Sequence, residues 1–159
     1  MMERLNFFTA SPKAIKAWTA LETFLAECSI DTPLAELVRL RASQINGCAF
    51  CVDMHTADAR KGGETERRLY AVSVWRDTPF FTPRERAALA WTERMTAVSV
   101  QHPSDAEYEE LAAHFSPQEM VELTMLISAI GGWNRFAIGF GKMLIAVMEK
   151  GSSGALFSH

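Results

Sequence analysis

The sequence predicts an all-α protein, and three features carry that expectation. Four times a hydroxyl residue precedes proline at the start of a run with helical apolar spacing: Ser11-Pro12, Thr32-Pro33, Thr82-Pro83 and Ser116-Pro117. A hydroxyl there caps exposed backbone N–H groups, and proline at the first helical position gives up no hydrogen bond. Thr82 with Glu85, Ser104 with Glu107 and Ser116 with Glu119 stand at capping-box spacing. No segment sustains the two-residue alternation between turn signals that marks a strand.

A first helix is expected over about 12–27, with Ile15, Trp18, Leu21 and Leu25 on one side. A second, about 33–45, carries Leu34, Leu37, Val38, Arg41 and Ile45. Asn46-Gly47 then breaks the chain, both residues tolerating positive φ. A third helix runs from Cys48 to about Lys61 and stops at Gly62-Gly63. A shorter one carries Leu69, Val72 and Trp75. Helices near 83–98, 105–114, 117–130 and 133–149 complete the set, the last two as a buried pair. Residues 1–150 are expected to form one helical domain. The remaining 151–159, GSSGALFSH, read as a mobile tail whose Leu156 and Phe157 can dock on a neighbouring subunit.

Composition narrows the class. At 159 residues, 48% hydrophobic and 22% charged, the chain can bury a real core and resembles ordinary globular proteins. A net charge of −3, with both signs interspersed, gives no electrostatic reason to expect nucleic acid. The N-terminus lacks the apolar stretch and cleavage site of a secretory signal. The most apolar stretch, Leu123 to Met148, is interrupted by Gly131, Gly132, Asn134, Arg135 and Lys142, against the roughly 20 apolar residues a membrane span needs. Three cysteines do not make a disulfide scaffold and suit a reducing cytoplasm, where a close pair serves redox chemistry or metal binding.

The chemistry concentrates in Glu36, Cys48, Cys51 and His55, spaced E-x11-C-x2-C-x3-H. On a helix of 1.5 Å rise, Cys48, Cys51, Val52, His55 and Ala59 fall along one stripe. Cα atoms three residues apart lie roughly 5–6 Å from one another, so a Cys48–Cys51 disulfide is geometrically allowed. Two arguments compete over which sulfur attacks. Cys48 sits at the helix N-terminus, where free N–H groups favour a thiolate. His55, however, is roughly 6 Å of rise from Cys51 and two turns from Cys48, so only Cys51 can share a proton with it. The reach argument favours Cys51 as the attacking thiol and Cys48 as the resolving one. Glu36 lies on a stripe that leads toward the Cys48 turn, and a helical hairpin can fold it against His55, although spacing does not require it.

The same residues resemble the alkylhydroperoxidase D-like (AhpD-like) family, within the carboxymuconolactone decarboxylase superfamily. The resemblance rests on Glu36, Arg41-Ala42-Ser43, Asn46-Gly47-Cys48, Cys51 and His55. It continues through Trp75-Arg76, Phe81, the stretch Glu85 to Glu93, and Trp133-Asn134-Arg135, covering about 10–148. It implies an all-α helical bundle that assembles as a homotrimer or homohexamer. It also implies a peroxidase in which Cys51 attacks a hydroperoxide, Cys48 resolves the sulfenic acid, and Glu36 with His55 relays the proton. An external dithiol, thioredoxin-like or lipoyl, would restore the thiols, with no cofactor and no metal. The well-characterised peroxidases of the family carry a histidine immediately before the second cysteine, where Phe50 stands here. The decarboxylase branch typically lacks the cysteine pair, which argues against lactone decarboxylation.

Each of these residues also has a plainer reading. The cysteines can be small apolar core residues, His55 a satisfied histidine, and Glu36 a solvated helix residue. Zinc on Cys48, Cys51, His55 and Glu36 is disfavoured because three ligands within two turns of one helix rarely converge to a tetrahedron. Cys28 reads as packing, His102 as a loop residue, and His114 as a helix C-terminal cation. Trp18, Trp75, Trp91 and Trp133 read as core and subunit interface, and Asn134 and Arg135 as groups satisfying buried helix ends or a subunit contact. Two functions of other classes stand beside the peroxidase: a redox sensor without turnover, and a helical oligomerisation module with a vestigial site.

Overall fold

The structure is a computed structural model that describes residues 3–142. Among them are eight α-helices and no strand: α1 Phe7–Ala10, α2 Pro12–Ala26, α3 Thr32–Asn46, α4 Ala49–Lys61, α5 Glu66–Ala71, α6 Pro83–Thr96, α7 Asp105–Ala112 and α8 Pro117–Phe140, with a 3₁₀ turn at Val72–Asp77 between α5 and α6. The all-α expectation holds. All three capping boxes form, each with the hydroxyl accepting a backbone N–H and the glutamate reaching back. At the other two proline starts the expected hydroxyl makes no cap hydrogen bond. Asp31, one residue before Thr32, accepts from Leu34 N at 3.0 Å, and Ser11 makes no side-chain cap bond. An ionised carboxylate is the stronger partner for a helix N-terminus.

Two boundaries differ from expectation. α1, capped by Asn6, was not legible as a helix because it is four residues long. More consequentially, the expected pair at 117–130 and 133–149 is one helix, α8. Gly131 and Gly132 do not stop it: a Cβ on Gly132 would overlap the Trp18 ring of α2, so this glycine marks a close approach of two helices. The stop is Gly141, left-handed at φ 70. The remainder of the expected last helix after residue 142, and the tail at 151–159, lie outside the described residues.

α3 is the central helix. Leu34, Ala35, Glu36, Leu37, Val38, Leu40, Ala42 and Ser43 are all buried, and α4, α6 and α8 pack around it. Ile45, expected on its apolar face, is 37% exposed at the last turn. One core cluster joins α3 to α6 and α8 through Val38, Ala88, Leu123 and Leu126. Another lies under α4, α5 and the 3₁₀ turn, around Leu37, Leu40, Leu69, Val72 and Leu89. A third gathers Phe7, Ile15, Ala42, Ile130, Trp133 and Ala137 around the two cysteines.

Polar ties fix the helices that carry the site. Glu93 of α6 accepts from Arg41 Nε at 2.8 Å, from Trp75 Nε1 at 2.9 Å and from Arg76. Burial alone would push its carboxyl up, but these donors hold it below the ordinary range. Asn134 of α8 donates to Ser43 Oγ at 3.1 Å and accepts from Asn46 Nδ2 at 2.8 Å, pinning α8 to the end of α3. Arg135 turns back to the carbonyl of Gly131 in its own helix. No helix of the described residues is long and apolar enough to cross a membrane.

Candidate active site

The turn from α3 to α4 delivers both cysteines to the core. Gly47 ends α3 at φ 69, a conformation that a side chain with a Cβ rarely adopts. Cys48 then serves as N-cap of α4, its sulfur accepting the backbone N–H of Cys51 at 3.4 Å. Cys48 and Cys51 are joined as a disulfide with Cα atoms 5.3 Å apart, and each residue is 2% exposed.

One turn along α4, His55 is buried, and its Nδ1 lies 2.8 Å from Glu36 Oε2 on α3. The hairpin thus brings together all four residues singled out in the sequence. Glu36 is buried rather than solvated. Burial alone would raise its carboxyl, but the hydrogen bond and charge of His55, with those of Arg39, outweigh it and hold the group below its ordinary value of 4.5. An ionised carboxylate only accepts, so Nδ1 of His55 carries the proton between them. In the neutral ring this leaves Nε2 as the acceptor, and that atom is buried with no hydrogen-bond partner.

The pair is anchored from behind. Arg39 donates to Glu36 Oε1 at 2.8 Å and to Glu22 Oε2 at 3.1 Å, and Glu22 Oε1 accepts from Trp133 Nε1 at 2.8 Å. A line of polar contacts therefore runs from His55 through Glu36, Arg39 and Glu22 to Trp133, tying α4, α3, α2 and α8. Glu22, Glu36, Arg39, His55, Asp58 and Trp133 line a polar cavity of about 320 Å³. A much smaller apolar cleft of about 30 Å³ lies over Cys51, lined by Phe7, Phe8, Phe50, Met54, Trp133 and Lys142 among others. Trp133 lines both.

Sequence reasoning did not assign Arg39, Glu22 or Trp133 to this network. Arg39 had a signal, standing three residues after Glu36 where a helix sets side chains adjacent. Glu22 had a weaker one, a lone carboxylate four residues from Trp18 within an apolar helix. Trp133 reads from the sequence as core and subunit interface, within a stretch shared with the family. Zinc ligation by the two cysteines would need free thiolates, whereas here their sulfurs are bonded to each other. Glu36, His55 and Asp58 offer ligand atoms within 4.8 Å of one another, but Asp58 is exposed and already pairs with Lys61 at 3.0 Å. Cys28 is free and packs against the α3–α6–α8 core. His102 lies in the loop between α6 and α7, and His114 sits beyond α7, 3.5 Å from Glu110.

Residues 12–94, more than half of the chain, match the carboxymuconolactone decarboxylase family. The chain belongs to that family. Among curated relatives, YdfG of Bacillus subtilis, an uncharacterized protein, is 38% identical over 89% of this chain and 96% of its own length. YnjA of Escherichia coli, also uncharacterized, is 39% identical over 62% of this chain and 53% of its own. A solved structure from Agrobacterium tumefaciens, a protein of unknown function associated by name with the antioxidant defence protein AhpD, superposes with a TM-score of 0.87. It is 43% identical, covering 89% of this chain and 97% of its own. The debrominase Bmp8 shares the fold at a TM-score of 0.78 and 22% identity, over 87% of this chain and 75% of its own. This member of the carboxymuconolactone decarboxylase family is thus AhpD-like in fold, with a cysteine pair compatible with redox chemistry.

Proposed function

We propose that this protein is a thiol-dependent hydroperoxide reductase. The observation that supports it is the Cys48–Cys51 disulfide standing one helical turn from the buried His55–Glu36 pair. His55, oriented by Glu36, takes the proton of the Cys51 thiol. The thiolate attacks the outer oxygen of a hydroperoxide; an S–O bond forms as the O–O bond breaks, and the leaving alkoxide recovers the proton as alcohol. Cys48 then attacks the sulfenic sulfur, closing the disulfide and releasing water. An external dithiol of thioredoxin-like or lipoyl type reduces the bond and is itself oxidised. No haem, flavin or metal enters these steps, and the cytoplasm, which keeps dithiols reduced, is the compartment they suit.

Mass spectrometry after a brief peroxide pulse tests the order of events. Cys51 is expected to gain one oxygen first, trapped by a dimedone-type probe, and the Cys48–Cys51 disulfide to follow. Oxidation that stops at one equivalent, with no steady consumption in the presence of a dithiol, would replace the enzyme with a redox sensor.

The reading includes assembly as a homotrimer or homohexamer. It is supported by an apolar groove of about 530 Å³ bounded by Leu21, Trp91, Met120, Val121 and Met125, beside Tyr108. Val121 is 60% exposed and Tyr108 52%, more than a lone apolar surface is expected to leave in one place. Light scattering should return three or six times the chain mass of 17.7 kDa, and a monomer at micromolar concentration would refute it.

A further inference from the structure

The cleft over Cys51 has a chemical character of its own. Its floor is buried: Phe7, Cys51, Trp133 and Ala137. Its mouth consists of the half-buried Phe8, Phe50, Met54 and Lys142. Phe50, the residue directly before Cys51, puts an apolar ring at this mouth. Lys142 is the single charged residue lining the cleft. Its ammonium lies 5.7 Å from the Phe8 ring centroid and 6.0 Å from that of Phe50. Among the described residues it has no ion pair. Aromatic faces hold a cation in place without neutralising it. A fixed, unpaired ammonium beside apolar rings recognises an anion attached to an apolar body.

Resting on the peroxidase reading, we infer that the cleft selects organic hydroperoxides that carry a carboxylate on an aryl or alkyl body, with Phe50 and Lys142 setting that specificity. The enclosed space of about 30 Å³ admits little more than the peroxide group itself. The organic body then lies across Phe8, Phe50 and Met54, and the carboxylate meets Lys142. Hydrogen peroxide fills the same space but gains nothing from the mouth, so it is the poorer substrate.

The test compares kcat/KM for hydrogen peroxide, cumene hydroperoxide and its para-carboxylated analogue, with a dithiol as reductant. In the native chain the order is carboxylated, then neutral aryl, then hydrogen peroxide. Lys142→Met keeps the apolar stem and removes the charge; it lowers the ratio of carboxylated to neutral substrate about tenfold, the size of one charge-assisted contact. Phe50→Ala lowers the ratio of neutral aryl substrate to hydrogen peroxide. A second readout needs no turnover: calorimetric binding of the unreactive 4-isopropylbenzoate to the reduced chain, weakened by Lys142→Met. Hydroperoxide consumption with a ratio that Lys142→Met leaves unmoved overturns the specificity and keeps the peroxidase. Binding that depends on Lys142, with no hydroperoxide consumed, keeps the anion subsite and overturns the peroxidase.

Discussion

Cys51→Ser should remove steady peroxide consumption by at least roughly 10³-fold, the order expected when a nucleophile acting as a unit with its base is lost. The argument rests on position. Cys51 is one helical turn from His55, whereas Cys48 caps the helix two turns away and gives its sulfur to the N–H of Cys51. Serine for Cys51 exchanges one buried group for another of similar size and leaves that cap in place, so the thermal midpoint should move little beside the loss of activity. Cys48→Ser is the informative partner. Serine is itself a good N-cap, so α4 starts as before. That variant should consume one equivalent of peroxide, hold a sulfenate at Cys51 and then stop. A reversed pattern, with Cys51→Ser trapping a sulfenate on Cys48, would reassign the nucleophile to the helix N-terminus.

Glu36→Gln should lower kcat/KM about 10²-fold at neutral pH while the chain still folds. The amide preserves shape but no longer fixes the proton on Nδ1 of His55, and Arg39 is left with Glu22 alone as its carboxylate. The same substitution alters how stability depends on pH. In the folded chain the Glu36 carboxyl sits below its ordinary value of 4.5. A depressed carboxyl stabilises the fold fully above the unfolded value and loses that contribution as pH falls through the folded one. Urea midpoints of the native chain and Glu36→Gln should therefore differ most at neutral pH and converge below about pH 4.5. Parallel curves down to acid pH would mean that the buried carboxylate has no such linkage.

The capping boxes and the Gly47 stop were legible because they depend on neighbours three or four residues away. Long-range features were not. Whether Gly132 ends a helix depends on Trp18, 114 positions earlier in the chain, and no local pattern shows that ring. Cys51 and His55 could be paired by helical rise, because both sit on one helix. Glu36 could only be proposed, since its burial comes from the way α3 and α4 close on each other. Arg39 and Glu22 escaped for a related reason. On the sequence a buried ion pair looks like surface charge, and only the packed helices show which charges face inward.

The near-complete burial of the disulfide has a kinetic consequence. Exchange needs an incoming sulfur in line with the S–S bond, and with both half-cystines 2% exposed a broad protein surface cannot present one there. On the peroxidase reading, oxidation asks only that a peroxide group reach Cys51 through the narrow cleft. Regeneration asks either for a thiol on a thin, extended arm or for the first turn of α4 to loosen. On that reading the two half-cycles are expected to be limited by different things, the first by chemistry and the second by access, with the oxidised form accumulating under a slow reductant.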